Sequence, residues 1–193
     1  MNYPNLITGL RIAFSPVFFI VFFIPIWFGT GGQVSVVILW ALFIVIETTD
    51  FIDGGVARYL DQVTDLGKLF DPFADVIARI TYFTCFQAIG IMPLWAFLII
   101  LYRELGIAFV RLLMLKRGIT LAARVGGKLK AVIYAVSGIL GMLFITVTRF
   151  SLFQAYWNVF EQAVYWVFVL AALASLSSFI DYLLVLRRAM KKT

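Results

Sequence analysis

Four aspartates have the types and spacing to do chemistry. Asp50 and Asp53 close the run Glu47-Thr48-Thr49-Asp50-Phe51-Ile52-Asp53, and Asp71 and Asp75 frame Asp71-Pro72-Phe73-Ala74-Asp75. Residues three or four apart share one face of a helix, so each pair projects two carboxylates together. Two antiparallel helices with a short connection would present all four to one another. Crowded carboxylates repel and resist ionising together. A divalent cation removes that penalty, and hard Mg²⁺ or Mn²⁺ prefers carboxylate oxygen. Four such ligands suit two ions about 4 Å apart, an arrangement that also clamps phosphate oxygens. A single aspartate here would read as a helix cap or a surface ion pair; four in this pattern read as a metal site. The chain has no histidine, which excludes imidazole bases, His-based zinc sites and Ser-His-Asp triads. Its one cysteine, Cys85, cannot form an internal disulfide and reads as small apolar packing.

Small residues surround the acidic pairs. Gly54, Gly55 and Ala57 leave little side-chain volume beside Asp53, and Gly67 does the same at the start of the next helix. A phosphorylated ligand can approach backbone at such places, although glycines serve close helix packing equally well. Arg58 is either a phosphate contact or an ordinary interfacial cation. Pro72 suits the first turn of its helix, where a missing N–H is harmless.

The elements that must position these groups are membrane helices. The chain is 63% hydrophobic and 13% charged, far short of the roughly one-quarter charged residues of soluble domains. Mean hydropathy is +1.02. Apolar stretches of about 20 residues can cross the hydrocarbon core, and six fit: 12–28, 34–54, 70–89, 93–114, 129–148 and 159–183. The fold expected is all-α and polytopic, a single membrane-embedded domain over 1–193. The first stretch reads as a retained helix rather than a removed signal peptide. Pro16 and Pro25 are positioned to kink it or to begin its end. Between the stretches, 29–33, 90–92 and 149–158 hold one basic residue, Arg149, whereas the opposite connections and the C-terminal tail are rich in Lys and Arg. The positive-inside rule then places both termini and the acidic pairs at the cytoplasmic face. The net charge of +6 fits an anionic bilayer surface. No zinc spacing, recognition-helix pattern or aromatic-basic interleaving supports a nucleic-acid partner.

The segment Asp50-x2-Asp53-Gly54-x2-Ala57-Arg58-x8-Gly67-x3-Asp71-x3-Asp75 resembles the signature of the CDP-alcohol phosphatidyltransferase family, eight fixed residues over 26 positions. The resemblance implies a six-helix, generally homodimeric membrane enzyme of the EC 2.7.8 class, using Mg²⁺ or Mn²⁺ to displace CMP from a CDP-linked lipid. It implies Asp50, Asp53 and Asp71 as metal ligands, and Asp75 as ligand and as base toward the acceptor hydroxyl. Gly54, Ala57, Arg58 and Gly67 would border the cytidine diphosphate of the donor. The opening Pro4-Asn5-Leu6-Ile7-Thr8-x2-Arg11, the pair Arg103-Glu104 with Arg111 downstream, and Gly127-Lys128-Leu129-Lys130 are similar to the family's bacterial phosphatidylglycerophosphate synthase branch. That branch often has lysine after the fourth aspartate, where this chain has Val76. By the same resemblance the enzyme sits in the bacterial inner membrane. Its substrates would be CDP-diacylglycerol and sn-glycerol 3-phosphate, and Asn5, Thr8, Arg11 and Glu104 would support the site.

The residues are compatible with a phosphorylated acceptor. A phosphate dianion near an acidic cluster needs cations, and Arg103, Arg111, Lys128 and Lys130 are available, with Glu104 to orient one of them. For Arg111 and Lys128 the alternative is interfacial snorkelling. With no cysteine or histidine nucleophile at the acidic cluster, direct displacement is expected. Rival acceptors are inositol phosphate, serine and phosphatidylglycerol. A divalent-cation transporter is the rival from another class, but its polar path should continue across the bilayer, whereas the acidic residues gather at one end.

Overall fold

The computed structural model describes residues 3–59, 65–116, 125–152 and 156–190, and side chains at 8–49, 70–114, 129–152, 156–184, 186 and 187. The described residues form six helices: α1 Tyr3–Phe28, α2 Gly32–Tyr59, α3 Asp65–Ala88, α4 Leu94–Lys116, α5 Val125–Arg149 and α6 Trp157–Met190. Four contain stretches long and apolar enough to cross a membrane: Thr8–Phe28, Gly32–Thr49, Leu129–Arg149 and Trp157–Leu184. The expectation of six such spans is therefore corrected to four among the described residues. The physical reason is charge: α3 carries Asp71, Asp75 and Arg79, and α4 carries Arg103, Glu104 and Arg111.

The solvent logic is that of a membrane protein. Tyr102, Leu105, Phe109 and Leu112 of α4 and Trp166, Leu170, Leu173 and Ile180 of α6 are exposed, whereas Arg103, Glu104 and Lys130 are buried. In water the reverse holds, since Lys, Glu and Arg are almost never buried and large apolar faces are covered. The chain is a polytopic membrane protein.

The chain falls into two compact units. The first comprises Met1–Cys85 and Ile145–Leu152. Here α1 packs along α2 after a turn in which Gly29 and Gly31 adopt φ of 69° and 78°, a left-handed backbone that favours glycine. Tyr82 of α3 meets Phe18 of α1 and Phe43 of α2 edge-on, with ring centroids 6.5 and 5.5 Å away. The end of α5 is tied in by polar contacts. Trp40 Nε1 donates to Thr146 Oγ1 at 2.9 Å. Arg149 donates to Ser35 Oγ at 2.5 Å and to the Phe22 carbonyl at 2.7 Å. After Arg149 the helix stops in a Schellman-type closure: Ser151 has φ 53°, and the amides of Ser151 and Leu152 bond the carbonyls of Thr148 and Val147.

The second unit comprises Phe86–Phe144 and Phe153–Thr193. Within it α4 packs along α6, where Gly106 lets the Phe179 ring come within 3.3 Å of where a Cβ would stand. Gly141 of α5 gives the same access to Phe86, whose ring lies 2.5 Å from the position of a Cβ there. Phe86 and Phe168 (centroids 5.8 Å apart) and Phe144 and Trp157 (4.8 Å) continue this apolar interior.

Two local expectations change. The second helix runs on to Tyr59 and the third begins at Asp65, so the acidic pairs lie inside helices rather than at their ends. Pro72 consequently stands inside α3 and not in its first turn; there it withholds one N–H from the helix ladder.

Candidate active site

Asp71 and Asp75 stand one turn apart on α3, and α1 meets both. Thr8 Oγ1 donates to Asp71 Oδ1 at 2.6 Å, and Arg11 Nη1 forms an ion pair with Asp75 Oδ1. Thr8 is 0% and Arg11 1% exposed, while the Asp75 side chain keeps 27% of its surface accessible. Thr8 to Arg11 and Asp71 to Asp75 advance in the same direction, so α1 and α3 run locally parallel. On α2, Glu47 accepts a hydrogen bond from the Tyr82 hydroxyl at 3.2 Å. Glu47 had no role in the reading of the sequence, yet its place three residues before Asp50 was a usable signal. Asp50, Asp53, Gly54, Ala57 and Arg58 lie on α2, and Gly67 on α3. Their side chains, like that of Asn5, are outside the described residues.

In the second unit two of the four expected cations, Arg103 and Lys130, meet Glu104. Glu104 Oε1 accepts from Arg103 Nη1 at 3.0 Å and from Lys130 Nζ at 2.5 Å. Arg103 Nη2 also donates to Ser178 Oγ at 3.0 Å, and Lys130 Nζ lies 4.6 Å from the Tyr134 ring centroid. The three charged residues are 5–7% exposed, and one Glu104 oxygen serves both cations. Arg111 is exposed on α4, and the Lys128 side chain is outside the described residues. No sequence signal marked Ser178; a serine in an apolar helix acquires meaning only from what faces it.

This is the architecture of a helical membrane protein with charge held inside it. The chain belongs to the CDP-alcohol phosphatidyltransferase family, whose model matches residues 1–174. A CDP-diacylglycerol–glycerol-3-phosphate 3-phosphatidyltransferase of Treponema pallidum is 36% identical over 190 residues, covering 95% of this chain and 88% of that relative. A protein of the same name from Bacillus subtilis is 36% identical over 147 residues, covering 72% of this chain and 76% of its own. The chain is thus a member of a transferase family.

Members of this family generally use divalent metal. Among the described residues no three His, Cys, Asp or Glu side chains gather, and Asp50 and Asp53 fall outside that set. What is described fits a hard cation. Asp71 and Asp75 offer carboxylate oxygens from one face of α3, the ligand type a hard cation prefers.

Proposed function

We propose that this chain transfers the phosphatidyl group of CDP-diacylglycerol to sn-glycerol 3-phosphate, giving phosphatidylglycerophosphate and CMP. The observation that carries the reading is the pairing of Thr8 with Asp71 and of Arg11 with Asp75. It joins the opening segment, similar to the glycerol-3-phosphate branch, to the family's signature carboxylates. The names of the relatives from Treponema pallidum and Bacillus subtilis support the same acceptor.

In this reading Asp50, Asp53, Asp71 and Asp75 hold two Mg²⁺ or Mn²⁺ ions. Such ions, when bound, polarise the diphosphate and stabilise the departing CMP. Gly54, Ala57 and Gly67 keep side chains out of the donor's path, and Arg58 contacts its diphosphate. Asp75 accepts the proton of the acceptor hydroxyl, whose oxygen attacks the phosphorus that bears diacylglycerol; the bond from that phosphorus to the CMP oxygen breaks. Arg103, Arg111, Lys128 and Lys130 supply the positive charge that a phosphate-bearing acceptor requires. In this reading α3 and α4 also cross the membrane, with Arg103 and Glu104 of α4 buried, and both termini are cytoplasmic. The enzyme works as a homodimer in a bacterial cell membrane.

The test is an acceptor panel with purified protein, CDP-diacylglycerol and Mg²⁺ or Mn²⁺. Glycerol 3-phosphate is expected to yield phosphatidylglycerophosphate and stoichiometric CMP, without a phosphatidyl-enzyme adduct. Turnover with inositol phosphate, serine or phosphatidylglycerol instead would replace the acceptor. Metal flux across vesicles with no CMP formed would overturn the enzymatic reading itself.

A further inference from the structure

Several described hydroxyls of the membrane helices bond within their own helix. Ser15 donates to the Arg11 carbonyl, Thr49 to Val45, Thr81 to Ile77 and Thr84 to Ile80. Thr8 differs: it crosses from α1 to a carboxylate 63 residues away. One turn further, Arg11 crosses in the same direction to a carboxylate 64 residues away. A fully buried arginine in a membrane helix needs both a partner and a purpose. Asp75 is the partner, and Asp71, on the same face of α3, is served by the donor on the same face of α1.

We infer that α1 is the outer shell of the carboxylate site: Thr8 positions Asp71 and Arg11 positions Asp75 for the metal. This rests on the reading above that these aspartates hold the cation. Ligating carboxylates work best when an outer hydrogen bond fixes their orientation, and losing that bond typically weakens metal binding 10–100-fold. Each carboxylate accepts its α1 donor at Oδ1, and a carboxylate can accept from a donor and ligate a cation at the same time. The two donors differ in kind. The hydroxyl orients Asp71 without altering charge, whereas the guanidinium both orients Asp75 and balances its charge. Neither residue touches substrate; both act through the carboxylate.

The experiment is Mn²⁺ binding to the full chain in nanodiscs, followed by electron paramagnetic resonance, with thermal unfolding of each variant as a check on folding. Thr8→Val and Arg11→Gln are expected to raise the Kd for Mn²⁺ by about 10-fold or more. Thr8→Ser should restore wild-type affinity, and Arg11→Lys should fall between. Thr8→Val is the decisive variant because it is nearly isosteric and leaves charge unchanged. A folded Thr8→Val protein that binds Mn²⁺ like wild type overturns the inference, as does a lowered melting temperature with unaltered Kd. Asp71→Asn and Asp75→Asn separate the two levels. If they abolish Mn²⁺ binding while Thr8→Val and Arg11→Gln leave the Kd at its wild-type value, the outer-shell role alone fails. If they too leave binding intact, the metal-ligand reading fails beneath it.

Discussion

Lys130 reaches from α5 to Glu104 on α4, and both side chains are withdrawn from the surface at a separation of 2.5 Å. Arg103 shares the same carboxylate oxygen, so Glu104 serves two buried cations at once. Removing one partner of such a group leaves uncompensated buried charge, and that governs what substitutions here should do.

Glu104→Gln is expected to lower stability by roughly 3 kcal/mol or more, the usual scale for breaking a buried pair. The double variant with Lys130→Met should lose less than the sum of the two single variants, because the second change removes one of the stranded charges. Thermal unfolding in detergent measures this. Strict additivity would show that Lys130 and Glu104 do not interact.

Arg111 should behave differently. It is exposed, so Arg111→Ala is expected to leave the melting temperature unchanged while raising KM for glycerol 3-phosphate several-fold at constant KM for CDP-diacylglycerol. Arg103→Ala, which strips Glu104 and Ser178 of a partner, should reduce stability as well. Steady-state kinetics with each substrate varied in turn separates the cases. An unmoved acceptor KM in Arg111→Ala would remove that residue from the acceptor site.

Asp75→Asn keeps the shape of the side chain but removes its charge and its ability to accept a proton. CMP release is expected to fall about 100-fold or more, the scale of losing a general base. Retention of near wild-type turnover by the folded variant would exclude Asp75 from the chemistry.

Packing makes a prediction independent of catalysis. A methyl group at Gly141 would meet the Phe86 ring at 2.5 Å, so Gly141→Ala is expected to destabilise by about 1–3 kcal/mol. At Gly9 a Cβ meets nothing within 4 Å. There the same substitution should be neutral or stabilising by up to about 1 kcal/mol, the helix-propensity gain over glycine. Equal melting temperatures for the two variants would contradict the described fit of Phe86.

Arg149 offers a last test. Its guanidinium donates to Ser35 and to the Phe22 carbonyl in the turn preceding Pro25. It also lies 5.1 Å from the Phe22 ring centroid. A lysine ammonium is a point donor and does not reproduce this fork. Arg149→Lys is therefore expected to lower the melting temperature nearly as much as Arg149→Gln, with both KM values unchanged. Full rescue by lysine would mean that charge alone matters at this position.

Much of this protein could be read along the chain because the relevant physics is local. Composition marks lipid as the solvent, and long apolar runs mark helices. Spacings of three and four put Asp50 with Asp53 and Asp71 with Asp75 on shared faces, whatever the rest of the chain does. The signature from Asp50 to Asp75 identifies the family because it is contained in two consecutive helices. Helix ends were less legible: Pro72 suggested a first turn, but α3 starts at Asp65, since a proline inside a packed helix is tolerated at the loss of one hydrogen bond. Partner choice was legible only in outline: Glu104 was expected to orient one of the cations, without saying which. That Thr8 meets Asp71, that Glu104 balances both Arg103 and Lys130, and that Arg149 meets a carbonyl 127 residues away depend on which helix faces come together. Periodicity gives each helix its faces; only their packing in space decides which donor reaches which acceptor, because a hydrogen bond is set by ångströms and not by position in the chain.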